Sequence, residues 1–135
     1  MGAQDTARTV SVTAAATFST DARVNAELMA TPGLVVRMNC YEPGQVTPMH
    51  MHPDEDEILY VVEGAGKVAF AEMPHLRVKA GDLVCLPADQ FHTIVNDSEG
   101  RMTLIYFMKP DYRSVRPQDG AAHPAIAKLH GERGA

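Results

Sequence analysis

Three histidines and a carboxylate in this chain of 135 residues have the types and spacing of a metal site. His50 and His52 stand two apart, and an acidic run, Asp54, Glu55, Asp56 and Glu57, follows at once. Residues two apart on a strand point to the same face. Two imidazoles side by side on an inward face make a poor apolar core, because each ring nitrogen needs a polar partner. They make a good pair of metal donors. His92 heads a later β-prone run, after Pro87, Ala88, Asp89, Gln90 and Phe91. Imidazole nitrogens and a carboxylate oxygen on neighbouring strands can meet inside a barrel, where inward-facing positions converge.

The elements that must position these groups are short strands. Leu34 to Tyr41 is one β-prone run, stopped by Pro43-Gly44, and Glu57 to Glu63 is another, stopped by Gly64-Ala65-Gly66. Residues 67–72 follow, then Leu83 to Leu86 after a turn at 79–82, His92 to Val95 before the turn 96–100, and Met102 to Met108 before Pro110. Strands at this spacing indicate a sandwich or barrel. Alternation puts Leu59 and Val61 inward and Tyr60 outward. It gives Ile94 and Asn96 the face of His92, and pairs Cys85 with Pro87. In the first run it separates Arg37, Asn39 and Tyr41 from Met38 and Cys40 without choosing which set faces the pocket. Tyr106 and Met108 stand in the same relation to Phe107. The expected division is an N-terminal arm over 1–33, a barrel over 34–110 and a tail over 111–135. In the arm, Val10-Ser11-Val12 suggests an edge strand. Residues 21–30 suggest a short helix, with Asp21 as cap, Val24 and Leu28 on one face and Pro32-Gly33 as stop. The tail has material for one or two helical turns over 125–130.

The segment Gly44-x5-His50-x-His52-x4-Glu57-x6-Gly64 resembles, position for position, the first motif of the cupin superfamily. Gly81-x5-Pro87-x-Asp89-x2-His92-x3-Asn96 is similar to the second, with Asp89 where the family usually has Gly. Asp tolerates the left-handed backbone region better than most residues. The two motifs span about half of the strand-rich region. The resemblance implies an all-β fold, a double-stranded β-helix or jelly-roll barrel, with short helices outside it. It also implies His50, His52, Glu57 and His92 as ligands of one divalent transition metal ion. Glu57 is preferred to Glu55, which would have to fold back, and Asp54, Glu55 and Asp56 read as a solvated loop.

Four protein ligands on an octahedral ion leave two positions for substrate or dioxygen. Iron suits such a site best, and Mn, Zn, Ni, Co and Cu are compatible with it. The expected activity is that of a metal-dependent enzyme on a small organic molecule, with a lean towards dioxygenase chemistry, an oxidoreductase. The alternatives are a lyase, isomerase or cyclase, or a module that binds or senses a small ligand without turnover. No catalytic residue beyond the metal donors is identified.

Bulk properties narrow the field. The charged fraction is 21%, the hydrophobic fraction 45% and the net charge −5. An acidic chain without a run of Lys or Arg does not suit nucleic acid. No apolar stretch approaches a membrane span, and the start lacks the features of a secretory signal, so a cytoplasmic protein is expected. Cys40 and Cys85 read as free, buried thiols. Most of the eight methionines read as core filling, and His75, His123 and His130 as surface residues. Edge-strand material in residues 1–20 suggests a homodimer.

Overall fold

A computed structural model describes residues 6–119. Among the described residues, nine strands form two antiparallel sheets: β1 (Val24–Thr31), β2 (Leu34–Tyr41), β3 (Val46–His50), β4 (Glu57–Glu63), β5 (Ala65–Phe70), β6 (Leu76–Lys79), β7 (Leu83–Leu86), β8 (His92–Val95) and β9 (Met102–Met108). The larger sheet runs β1-β2-β9-β4-β7 and the smaller β3-β8-β5-β6. This is the expected double-stranded β-helix. Strands that follow each other along the chain mostly pass from one sheet to the other, so the two motif segments are brought together from both sides. No helix among the described residues is long and apolar enough to cross a membrane.

The core lies between the sheets and is made by alternate residues of each strand. Leu59 and Val61 of β4 are fully buried, while Tyr60 between them is exposed. Tyr41, Val68, Ile94, Met102 and Leu104 belong to the same cluster. A smaller cluster of Met51 and Phe91, with Met49, Ala71 and Val115 against it, closes one end of the sandwich. Gly64, which ends β4, has φ +83, and a Cβ there would stand 2.1 Å from the Arg101 carbonyl oxygen. Only glycine fits that turn.

Several expectations about the elements need correction. Residues 21–30 are not a helix: Val24–Thr31 is strand β1, paired along its length with β2. The register shifts between Glu27 and Met29, so Leu28 is an extra residue in the ladder. Such a bulge breaks the two-residue alternation. The Val24 and Leu28 spacing that suggested a helix face therefore belongs to a bulged strand. Conversely, the expected edge strand at Val10–Val12 is absent, and Val12–Ala15 is a helical turn whose cap, Ser11, accepts from the Ala14 amide. The run read over 67–72 begins and ends earlier, as Ala65–Phe70. Strand β6 was not expected, and the strand expected to carry both His50 and His52 is β3, which ends at His50. Cys40 is buried, but Cys85 is exposed because it lies on the outer face of the edge strand β7; both thiols are free. The helical turns suggested over 125–130 lie outside the described residues, as do His123 and His130.

Candidate metal centre

The pairing of β3 with β8 sets His50 directly opposite His92. The ladder slips between Thr47 and His50, which lets the end of β3 bend inward. His52 lies two residues beyond His50, on the same side, just past the strand. Glu57 opens β4. The donor atoms of His50, His52, Glu57 and His92 all lie within 4.8 Å of one another. His52, Glu57 and His92 are buried, and His50 is partly so. All four residues singled out in the sequence therefore meet at one point, and this group could hold a metal ion.

The acidic run divides as the spacing implied. Asp54 and Asp56 are exposed, Glu55 faces Lys109, and only Glu57 turns inward. The turn between the histidines and Glu57 is tied to the second motif by three bonds. Asp89 donates its amide to the His52 carbonyl oxygen at 3.1 Å, and its carboxylate accepts from the Asp54 amide at 3.1 Å. Asp56 accepts from the Ala88 amide at 2.9 Å. Asp89 sits at φ 65, in the left-handed region where the family motif has glycine. It takes the same backbone conformation and adds a side-chain bond that glycine could not make.

Each imidazole is held by its far nitrogen. His50 Nδ1 lies 2.8 Å from the Pro48 carbonyl oxygen, His52 Nδ1 2.7 Å from that of Arg113, and His92 Nδ1 3.0 Å from that of Gln90. A carbonyl oxygen only accepts, so Nδ1 carries the proton in each ring. Each neutral ring then presents the Nε2 lone pair to the centre. There His92 Nε2 and Glu57 Oε1 have no hydrogen-bond partner. His52 Nε2 approaches Glu57 Oε1 at 3.1 Å and His92 Nε2 at 3.8 Å. Lone pairs facing a carboxylate at these distances are favourable only with a proton or a cation between them.

The titration of the rings follows from the same surroundings. Burial, then proximity to His92, pushes His50 down to about 4; burial likewise pushes His92 down to about 4. Burial also pulls on His52, but the Glu57 carboxylate and the Arg113 carbonyl outweigh it and raise this ring. At neutral pH His50 and His92 are neutral and able to donate lone pairs.

The cluster opens into a cavity of about 180 Å³. Of the face that the sequence left undecided on β2, Asn39 lines it, and Tyr106 does so from β9. Met38 lies buried on the opposite side of β2. The sequence reading missed the contributions of Arg23, just before β1, of Asn25, within it, and of Tyr112, Ser114 and Arg116, beyond β9. With 21–30 read as a helix, the shared face of Arg23 and Asn25 was invisible. Nothing in the local pattern of 111–119 marks it as a wall; it is held there by the Met51–Val115 bridge.

The family model described as the cupin domain matches residues 37–108, which contain both motif segments and all four clustered residues. This chain belongs to the cupin family. The cupin is 41% identical over 61 residues to the auxin-binding protein ABP19b of Prunus persica, a match covering 42% of this chain and 29% of that protein. It thus spans under a third of the length of that relative. Its fold is similar to a double-stranded β-helix protein of Klebsiella pneumoniae, with a TM-score of 0.73 at 20% identity, over 82% of this chain and 99% of the other. It is also similar to KdgF of a Halomonas species, with a TM-score of 0.57 at 29% identity, over 64% of this chain and 78% of the other.

Proposed function

We propose that this cupin binds one divalent transition metal ion through Nε2 of His50, His52 and His92 and the carboxylate of Glu57, and that it acts as a metal-dependent enzyme on a small organic molecule. The observation that carries the reading is the pair of buried atoms without partners, Glu57 Oε1 and His92 Nε2, among rings whose other nitrogens are already bonded to carbonyls. Three neutral nitrogens and one anionic oxygen suit a borderline divalent ion, and iron is our preferred assignment. Such an ion supplies a Lewis acid for an oxygen of the substrate or, as iron, a site for dioxygen activation. The protein contributes fixed donors, a cavity that admits a small molecule, and polar groups along its wall. We favour dioxygenase chemistry.

A second reading, a lyase, isomerase or cyclase, is favoured by the hydroxyls of Tyr106 and Tyr112 on the cavity wall. Such reactions move protons, and a hydroxyl pair can carry one. Free Cys40 and Cys85 are compatible with a reducing, cytoplasmic setting.

The test begins with elemental analysis of protein purified without a histidine tag. One first-row ion per chain is expected, lost in His92→Ala together with turnover. Retained turnover in metal-free His92→Ala protein would refute the metal's role. Oxygen uptake during turnover selects the dioxygenase reading, and turnover without it selects the second. Tight binding of small molecules without any turnover marks a binding module.

A further inference from the structure

The wall of the cavity beyond the metal centre is built of donors. Asn25 is locked by its neighbours: its Oδ1 accepts from Arg37 Nε at 2.9 Å, and its Nδ2 donates to Asn39 Oδ1 at 2.6 Å and to the Tyr106 hydroxyl at 2.8 Å. Arg37 can only donate, so this amide cannot be turned over. Tyr106 must therefore accept from Asn25. The Tyr112 hydroxyl stands against the Tyr106 hydroxyl; burial, then that contact, keeps Tyr112 protonated well above the ordinary tyrosine range. Both residues line the cavity, and a pair of hydroxyls has two protons, so one remains to donate into the cavity even where the other is shared between them.

Arg23 lines the same cavity, two residues before Asn25 and on the same face. Its Nε donates to Thr47 Oγ1 at 2.9 Å, and Thr47 is in turn held by the Tyr41 hydroxyl at 2.6 Å. This fixes the guanidinium by one edge and leaves its outer N–H groups for another partner. No carboxylate among the described residues is paired with it. Arg116 adds a second guanidinium to the lining, and Glu57 is the one acid there. A chain of net charge −5 thus has a cavity whose fixed charge, with a divalent ion bound, is positive.

We propose that Arg23 and the hydroxyl pair of Tyr106 and Tyr112 form a subsite for a carboxylate of the substrate, so that this cupin acts on small, oxygen-bearing carboxylic acids. This rests on the metal-centre reading above. A planar two-oxygen anion matches the guanidinium fork, and a hydroxyl donor beside it satisfies a remaining lone pair. A cavity of about 180 Å³ beside the metal centre suits a small acid.

The test is calorimetric titration of metal-loaded protein with malonate and L-malate. Propane-1,2-diol serves as the uncharged comparison, and acetohydroxamate reports access to the metal alone. At least one of the acids is expected to bind wild-type protein, and the diol is not. Its affinity falls at least tenfold in Arg23→Gln, recovers in part in Arg23→Lys, and falls several-fold in Tyr106→Phe, which removes a single oxygen and keeps the ring. Metal content and acetohydroxamate affinity stay as in wild type. Equal affinity for the acids in wild type and Arg23→Gln, or no binding of either acid while acetohydroxamate binds, overturns the subsite and leaves the metal centre standing. Arg23-dependent binding of inorganic phosphate tighter than of either acid overturns the choice of carboxylate. Wild-type protein that takes up neither metal nor acetohydroxamate removes the metal reading, and this inference with it.

Discussion

Glu57 is a carboxylate 3% exposed with one oxygen unpartnered. A buried anion without full compensation costs free energy unless a cation balances it. Glu57→Gln keeps the shape and removes the charge. Metal-free Glu57→Gln protein is therefore expected to be at least as stable as metal-free wild type, while the stabilisation that added metal confers is largely lost. Thermal melting with and without metal measures both. A variant that melts lower than wild type without metal, yet is stabilised by metal to the same extent, would contradict this account of the residue.

At the level of elements, the site depends on the loop before β4 being fastened to the loop before β8. Asp89 does this from a left-handed backbone position, with its carboxylate on the Asp54 amide. A β-carbon in that region costs about 1–2 kcal/mol, which the aspartate side chain offsets by local bonding. Asp89→Ala keeps the strain and loses the bond, so a destabilisation of about 1–2 kcal/mol in chemical denaturation is expected. Asp89→Gly loses the bond but also the strain, and should lie within about 0.5 kcal/mol of wild type. If the two variants prove equally destabilised, the left-handed strain has no part in the effect.

The whole molecule responds to pH through its buried imidazoles. His50 and His92 titrate near 6.5 when exposed and at about 4 in the fold. Between those values the unfolded chain binds protons that the folded chain refuses. Stability is therefore fully present above about 6.5 and is lost as pH falls towards 4. His52, raised in the fold, acts in the opposite sense and recovers part of the loss. The net loss is read from denaturant midpoints of metal-free protein between pH 7 and pH 4, with a lower midpoint expected at pH 4. A flat profile over that range would mean that the rings are not held neutral by burial.

The outer face of the larger sheet bears on assembly. Ile58, Tyr60, Leu83 and Cys85 pair across β4 and β7 and are all exposed, Leu83 at 70%. With Val10–Val12 no longer a strand, the basis for a homodimer moves from the arm to this face. We propose that a second copy covers it. Leu83→Glu should then convert a dimer to a monomer by light scattering, and a monomeric wild type would dismiss the idea.

The sequence by itself determined the strands Leu34–Tyr41, Glu57–Glu63, Leu83–Leu86, His92–Val95 and Met102–Met108, and it singled out four residues that do converge. Both follow from local chemistry. Alternation and turn residues are written in neighbouring positions, and imidazoles two apart are conspicuous on an inward face. Tertiary structure alone decided that Asn25 belongs to a strand and that Arg23, just before it, faces the cavity, since pairing with β2 overrode the helix-like spacing of Val24 and Leu28. It also decided which face of β2 and β9 looks into the cavity, that the segment after β9 forms a wall, and that Asn25 is locked so that Tyr106 must accept from it. Those facts depend on contacts between residues far apart along the chain, such as Asn25 with Tyr106 and His52 with Arg113, which no local pattern records.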